Sequence, residues 1–288
     1  MLRRDGGPPL ALSALAARLL ALEAEPPVDV ARRIVAAALG ADPTTLPDPF
    51  SGPRAACLLE PATALPEWLL TMPLEAADLF VVDLETTGGA GAGSTILEIG
   101  AVRISGGCVV ERYQTLVNPL QPIPLSIQVL TGIRDGMVAG APTLGPAMRA
   151  FSEWLDRVPG APFVAHNAPF DEGFVRRALA LCGLPPLARP VLCTRRLSRR
   201  LVPEMSRHGL DALCARFEIE NRARHRALGD AEATAELLLL LLRRARERAG
   251  LATLGELLAL HGRSVRAARR EIERARAAPP AEGGPDAV

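Results

Sequence analysis

The stretch "LFVVDLETTGG", residues 79–89, joins the pattern of a buried strand to that of a binding site. Four apolar residues lead directly into Asp83 and Glu85, which are two positions apart and therefore lie on the same side of a strand. Two like charges this close repel each other and resist burial, so something must hold them ionised. A divalent cation would do so, because carboxylate oxygens are ligands that Mg²⁺ and Mn²⁺ prefer. The stretch predicts a core strand with either a metal site or ordinary acids at its carboxyl end.

The runs around this strand predict an α/β domain. Two strand-like runs, 95–105 and 108–118, follow it and are joined by glycines that favour a tight turn. An antiparallel beginning followed by alternating helices and strands is typical of one mixed sheet flanked by helices. The later strands are predicted at 162–166 and 191–194, and the helices at 143–157, 169–183, 194–202, 206–217 and 229–248.

Four regions are predicted along the 288 residues. Residues 1–75, broken by prolines, indicate a small, mainly helical N-terminal region, and 76–248 form the α/β domain. Residues 249–276 add C-terminal helices. The remainder, 277–288, is rich in proline, glycine and acid, which indicates a disordered tail.

Composition narrows the class of protein. The five cysteines form no C-x-x-C pair, which argues against a disulfide framework and a zinc site. No apolar run approaches the roughly 20 residues of a membrane span, so we expect a cytoplasmic protein with no membrane partner. The glycine-rich residues 88–94 are not a phosphate-binding loop, because that signature needs a lysine and a following helix.

Charge gives no global attraction to a polyanion. The formal net charge is +1, and all 33 basic residues are arginine. A polyanionic partner would therefore be held by a local patch. Three arginine sets could follow phosphates or simply face solvent, namely 195, 196, 199 and 200; 222, 224 and 226; and 263, 266, 270 and 274.

Two further stretches place acids after strand or loop signals. "HNAPFDEGF", residues 166–174, puts Asp171 in the first turn of a predicted helix. "HRALGDA", residues 225–231, puts His225 five positions before Asp230, which opens a long apolar helix. An acid in the first turn is also favoured by the helix dipole, so each position alone has an ordinary structural explanation.

Taken in order and spacing, "VVDLETTG", "HNAPFDEGF" and "HRALGDA" resemble the three motifs of the DEDDh 3′→5′ exonucleases. That family includes the proofreading (epsilon) subunit of bacterial DNA polymerase III. The connecting segments "ILEIGAVRI", "LVNP" and "LTGI" are similar too, and the resemblance covers about 78–248. It implies a ribonuclease-H-like fold with a five-stranded mixed sheet flanked by helices.

The resemblance also implies the roles of the site residues. His225 would be the general base, and two divalent cations, Mg²⁺ or Mn²⁺, would be held by Asp83, Glu85, Asp171 and Asp230. This arrangement suits phosphodiester hydrolysis, because two metal ions can serve both the attacking and the leaving oxygen of an in-line displacement. A histidine can accept a proton near neutral pH.

Substrate contacts are implied around the same site. By the resemblance, Thr86 and Thr87 contact the terminal sugar and phosphate, and Leu130 or Ile133 of "LTGI" wedges against a base. Thr131 stands where proofreading subunits can carry histidine. The remaining cleft residues are expected to be His166, Asn167 and Phe170, with local packing or capping as the alternative for each.

The leading hypothesis is a metal-dependent 3′→5′ exonuclease acting on single-stranded or frayed DNA 3′ ends, in proofreading or repair. An exoribonuclease acting on RNA ends would use the same site. A third hypothesis is an adaptor in which the nuclease fold docks onto a DNA polymerase subunit. Replacing the first two acids separates enzyme from adaptor, since only an enzyme would lose its function.

Overall fold

The computed structural model describes residues 66–90 and 93–277. The predicted N-terminal helical region falls mostly on residues 1–65, outside the described residues. The predicted disordered tail falls there too, apart from Ala277, which ends the last helix.

A five-stranded mixed sheet forms the centre of the fold, with the strand order β3-β2-β1-β4-β5. The first strand pairs antiparallel with the second and parallel with the fourth, and the fourth and fifth strands are parallel. This confirms the predicted sheet. The strands are β1 (Leu79–Thr86), β2 (Ile96–Ser105), β3 (Cys108–Leu116), β4 (Phe163–Ala165) and β5 (Val191–Cys193).

Helices cover both faces of this sheet, which explains why β1 is a continuous apolar run. The described helices are α1 (Glu67–Thr71), α2 (Leu125–Thr131), α3 (Asp135–Val138), α4 (Leu144–Leu155), α5 (Ala168–Leu181), α6 (Thr194–Leu201), α7 (Leu210–Phe217), α8 (Ala227–Ala249), α9 (Leu254–Gly262) and α10 (Val265–Ala277). Leu79 and Val81 face a layer that contains leucines of α8, whereas Phe80 and Val82 face a layer formed by α4 and α5. By the same alternation Asp83 and Glu85 continue the α8 side.

Some helix limits differ from the predictions. The helix predicted at 206–217 begins only at Leu210, because the backbone oxygens of Met205 and His208 accept hydrogen bonds from the rings of His208 and His166 respectively. The C-terminal helical region is divided between α9 and α10. Two short helices, α2 and α3, were not predicted at all. Among the described helices, none is both long enough and apolar enough to cross a membrane.

The segment before β1 packs against the helices that follow α8. Leu69 and Leu74 are buried in the same apolar layer as Leu254 and Leu257 of α9. Backbone hydrogen bonds join the two segments, from Leu74 to Ala252 at 2.9 Å and from Leu254 to Met72 at 2.9 Å. The segment that enters β1 and the segment that leaves α8 thus lie side by side.

The first turn of α8 approaches β2 very closely at Gly100. A Cβ atom built on Gly100 would lie 2.1 Å from backbone atoms of Ala227 and Leu228. Real side chains do not come so close, so only glycine permits this helix to rest on the strand. The contact therefore fixes the distance between the sheet and α8, which carries Asp230 in its first turn.

Replacing Gly100 by alanine should lower the free energy of unfolding by about 3 kcal/mol, near the upper end for overpacking. The added methyl group must push α8 away, because its nearest neighbours are backbone atoms. Denaturant unfolding measures the change. Gly136→Ala is the matched control, since nothing lies within 4 Å of a Cβ there. Equal stability of the two variants would contradict the close approach.

Candidate active site

The four acids singled out in the sequence lie together at the carboxyl end of β1. Asp83 and Glu85 come from β1, Asp171 from the first turn of α5, and Asp230 from the first turn of α8. Burial raises the pKa of Asp83 well above its ordinary value, and so do the charges of the other three acids. Acids from three elements that are far apart in sequence are therefore electrostatic neighbours.

The pKa values of the other three acids are also raised. Burial, followed by the charges of Asp230 and Glu98, raises the pKa of Glu85 to about 7. Burial and the charge of Glu85 raise the pKa of Asp171 to about 8, and burial raises that of Asp230. Without a cation, the cluster therefore tends to hold protons near neutral pH.

Asp171 is attached to β1 by its backbone. Its carboxylate accepts hydrogen bonds from its own N–H and from that of Leu84, which lies between the two acids of β1. Asn167 is the N-cap residue of α5, and proline stands at the start of that helix, where its missing N–H costs nothing. The local sequence thus begins the helix at the point that brings Asp171 to the strand.

Asp230 organises the loop that carries His225. One carboxylate oxygen accepts a hydrogen bond from the backbone N–H of His225 at 3.0 Å, and the other accepts one from the Asn221 amide. His225 has a φ of 60°, a left-handed conformation that is uncommon for residues other than glycine and is frequent at functional sites. An imidazole nitrogen of His225 lies within 4.8 Å of carboxylate oxygens of Glu85 and Asp230.

Glu98 of β2 is a functional candidate that the sequence analysis missed. It lies opposite Glu85 in the sheet and is fully buried. Arg226 donates two hydrogen bonds to it, at 2.7 and 3.0 Å, and the backbone of Ala227 donates a third at 3.0 Å. Burial alone would raise the pKa of Glu98, but these bonds and one from Gln114 hold it below its ordinary value. Glu98 thereby anchors the loop next to His225.

A lone acid inside the apolar run of β2 was the signal that could have identified this anchor. A buried carboxylate needs a partner, and a sequence without an alignment does not say which arginine provides it. The structure supplies Arg226, the residue that follows His225.

Replacing Glu98 by glutamine should lower the rate of the reaction expected at this site by about 10- to 100-fold, the usual effect of removing a group that orients a site residue. The loop would lose its charged anchor while the four clustered acids stay in place. Single-turnover rates on a labelled oligonucleotide measure the effect. Glu232→Gln removes the exposed ion pair with Arg112 and is the control. Equal rates for the two variants would exclude a positioning role for Glu98.

A cleft of about 280 Å³ adjoins the acids. It contains four of the predicted substrate contacts, and its lining consists of Leu84, Glu85, Thr86, Gly88, Gly89, Ile127, Leu130, Thr131 and Phe170. Leu130 is 51% exposed and so presents apolar surface to an incoming ligand. The unpredicted helix α2 forms this wall.

The hydroxyl groups of three threonines form hydrogen bonds with nearby backbone groups. Thr86 donates to the carbonyl of Gly88 at 2.6 Å, and the hydroxyl of Thr87 accepts from the backbone of Thr95 at 3.0 Å. Thr131 donates to the carbonyl of Ile127 at 2.9 Å. These bonds shape the cleft rim, and Thr87 is not part of the lining.

His166 does not line the cleft, contrary to the sequence-based expectation. It is buried, and its two ring nitrogens lie 3.0 Å from the hydroxyl of Thr194 and 3.0 Å from the carbonyl of His208. Burial lowers the pKa of His166 to about 4. With both nitrogens engaged, it joins β4 to α6 and to the loop before α7. Asn167 also lies outside the lining, at the exposed start of α5.

The donor set fits divalent metal ions. Four carboxylates supply hard oxygen ligands, which is the chemistry that Mg²⁺ and Mn²⁺ prefer. The charge of Arg226 lowers the pKa of Glu85, but its hydrogen bonds go to Glu98. Burial and like charge nevertheless raise the pKa values of all four acids, which is the situation that a bound cation relieves.

Comparisons with known proteins agree with this picture. A family model described as exonuclease, RNase_T, matches residues 80–238. The PolC-type DNA polymerase III of Bacillus subtilis is 41% identical over 177 residues, which are 61% of this chain and 12% of the polymerase. That of Bacillus cereus is 39% identical over 171 residues, with 59% and 12% covered. The match therefore spans only a small part of these relatives.

Three further similarities cover different shares of the proteins compared. A putative bifunctional exonuclease/endonuclease protein of Mycobacterium tuberculosis is 42% identical over 181 residues, 60% of this chain and 28% of that protein. Among solved structures, exonuclease X in complex with 5′ overhanging duplex DNA is 28% identical, with a TM-score of 0.50, and the match covers 64% of this chain and 99% of that one. E. coli exonuclease I with a dA16 oligonucleotide shares the fold, with a TM-score of 0.54 at 19% identity over 59% of this chain and 42% of that one.

Proposed function

The chain belongs to the RNase_T exonuclease family, and on this premise we propose that it is a DEDDh-type exonuclease that removes nucleotides from DNA 3′ ends with the help of two divalent metal ions. Because it belongs to this family, the protein is a nuclease that hydrolyses nucleic acid from an end. The polarity, the sugar preference and the mechanism are the proposed part.

One observation carries the proposal. Four acids from β1, α5 and α8 lie close enough that the charges of three raise the pKa of the fourth, Asp83, and Glu85 among them lines a cleft and lies next to an imidazole. Such a cluster is costly to fold, because burial and like charge both oppose ionisation. Metal binding explains why the chain keeps it.

The four acids would hold two Mg²⁺ or Mn²⁺ ions. When bound, such ions neutralise developing charge on the phosphate and on the attacking and leaving oxygens. Asp171 and Asp230 are oriented for this by backbone N–H donors, from Leu84 and His225 respectively. Asp83 and Glu85, which lie on one face of β1, would complete the set of metal ligands.

His225 would act as the general base. A water oxygen attacks the phosphorus of the last phosphodiester while the imidazole takes one of its protons. The bond between phosphorus and the 3′ oxygen of the preceding nucleotide then breaks, and that oxygen takes up a proton. The products are a nucleoside 5′-monophosphate and a strand one residue shorter that again ends in a 3′ hydroxyl.

The cleft would hold the terminal nucleoside. Leu130 of α2 and Phe170 of α5 offer it apolar surface from two different helices, and Ile127 adds to the surface of α2. The rim built from Thr86 and Thr87 would meet the sugar and phosphate. Asn167 remains a predicted contact from the start of α5.

The biological role is proposed from the relatives. The PolC-type relatives are DNA polymerases, and the matched segment is 12% of their length. We therefore infer a proofreading or repair exonuclease that associates with a DNA polymerase, and attribute no polymerase activity to this chain.

An end-labelling experiment tests the proposal. A single-stranded DNA labelled at its 5′ end should shorten stepwise, whereas the same strand labelled at its 3′ end should release labelled mononucleotide at once. EDTA should stop both reactions, and Mg²⁺ or Mn²⁺ should restore them. Shortening that survives EDTA would contradict the metal mechanism, and faster shortening of the matching RNA would favour the exoribonuclease.

A further inference from the structure

Two helices that are far apart in the sequence form one basic surface. Arg196 and Arg199 are exposed on α6, and Arg266 and Arg270 are exposed one turn apart on α10. The two helices are joined by Arg269, whose guanidinium donates to the carbonyl of Arg199 at 2.9 and 3.2 Å. What the sequence presents as two separate arginine sets is therefore continuous in space.

The arginines of this surface are close enough to act on the same groups. Burial lowers the pKa of His208, and the charges of Arg199, Arg269 and Arg195 lower it further. Burial likewise lowers the pKa of Arg200, followed by the charge of Arg196. Positive charges from α6 and α10 thus crowd one region.

Ion pairing with carboxylates distinguishes many other arginines of the described ranges from the arginines of this surface. All basic residues are arginine, so composition alone cannot explain which of them pair with acids. Across the described ranges, ion pairs with carboxylates involve arginines 103, 112, 157, 176, 189, 222, 224, 226, 244, 246 and 248. Within those same ranges, the ion pairs include none of arginines 195, 196, 199, 200, 266, 269, 270 and 274.

The surface begins at the edge of the sheet that carries the acids. β1, β4 and β5 run parallel, so their carboxyl ends lie at one edge, and α6 follows β5 directly. The backbone N–H of Arg195 donates to the carbonyl of His166 at 3.2 Å, just before the helix that carries Asp171. From there α6 extends about 12 Å at 1.5 Å per residue, and α10 adjoins it at Arg199.

We propose that this surface binds the phosphate backbone of the DNA strand that enters the candidate active site. Guanidinium groups suit phosphate oxygens because they donate two parallel hydrogen bonds and stay charged at any physiological pH. α10 lies beyond the family match at 80–238, so it is a nucleic-acid-binding extension of the exonuclease unit. The inference rests on the proposed function, since it takes DNA as the substrate.

Binding of a fluorescent single-stranded 20-mer in EDTA tests this surface without any cleavage. R266Q/R270Q, in the full chain, should bind about tenfold more weakly at low salt, and the slope of log K against log salt should fall by about 0.7 for each phosphate that is no longer neutralised. R149Q/R243Q removes two exposed arginines of α4 and α8 and should bind like the wild type. A methylphosphonate 20-mer, which lacks backbone charge, should not distinguish the variants.

The possible results separate this inference from the proposed function. If R266Q/R270Q and R149Q/R243Q bind the charged 20-mer equally, the surface is not a DNA site, and the inference is wrong even if ends are hydrolysed. If binding depends on Arg266 and Arg270 but the wild type hydrolyses no end in Mg²⁺, the surface stands and the proposed function fails.

Discussion

Replacing Asp83 by asparagine is expected to lower the rate of nucleotide release at least about 10³-fold, because a lost metal ligand removes several kcal/mol of transition-state stabilisation and each 1.36 kcal/mol is a factor of ten. The charges of the other three acids all raise the pKa of Asp83. Single-turnover cleavage of a 5′-labelled oligonucleotide in Mg²⁺ measures the decrease.

The same variant should be more stable than the wild type when EDTA is present. A carboxyl group whose pKa is raised by folding stabilises the protein below its unfolded pKa of about 4. That stability is lost as the pH rises through the folded values, which are about 7 for Glu85 and about 8 for Asp171. At pH 8 asparagine removes one of the acids that oppose each other's ionisation, and the melting temperature should rise by about 2–4 °C per kcal/mol of repulsion relieved.

Metal addition completes this test. Mg²⁺ should raise the melting temperature of the wild type at pH 8 and raise that of Asp83→Asn much less. Asp78→Asn is a control, since Asp78 pairs with Arg103 outside the cluster. A variant that is inactive yet stabilised by Mg²⁺ as much as the wild type would show that Asp83 is no metal ligand.

Replacing His225 by asparagine should lower the rate by about 10²- to 10⁴-fold, the usual contribution of a general base. Asparagine tolerates the left-handed backbone at this position better than most residues, so the loop should keep its shape. The backbone donor to Asp230 is also retained. The lower rate would therefore report on the imidazole itself.

A thermal shift decides between two roles for this imidazole. Its nitrogen lies near oxygens of Glu85 and Asp230, where it could also ligate a metal ion. If it is a base, its removal should leave the stabilisation by Mg²⁺ unchanged, since all four carboxylates remain. A reduced shift would make His225 a ligand and would contradict the proposed mechanism. Arg224→Gln, at the preceding residue and paired with Asp211, is the control for disturbance of the loop.

Sequence patterns were sufficient to predict the sheet, and the resemblance of three motifs to a known family implied that the acids gather. β1 is covered on both faces and so is continuously apolar, and the acids that end it interrupt that pattern visibly. Asp171 and Asp230 lie in first turns of helices, where α/β topology brings side chains to the carboxyl edge of the sheet.

The tertiary contacts of several site residues could not be predicted from the sequence. No sequence pattern near His166 shows that both of its ring nitrogens contact buried groups. Likewise, no pattern near Glu98 shows that it pairs with a residue 128 positions away. The wall of the cleft, α2, is short and leaves Leu125 and Val129 75% and 78% exposed, so it lacks the apolar periodicity that identifies a helix. Each of these features depends on what packs nearby rather than on spacing.

The hydrogen bonds between Leu74 and Ala252 and between Leu254 and Met72 hold the two ends of the stretch from 74 to 252 side by side. A module of this kind can be spliced into a host polypeptide without stretching either flank.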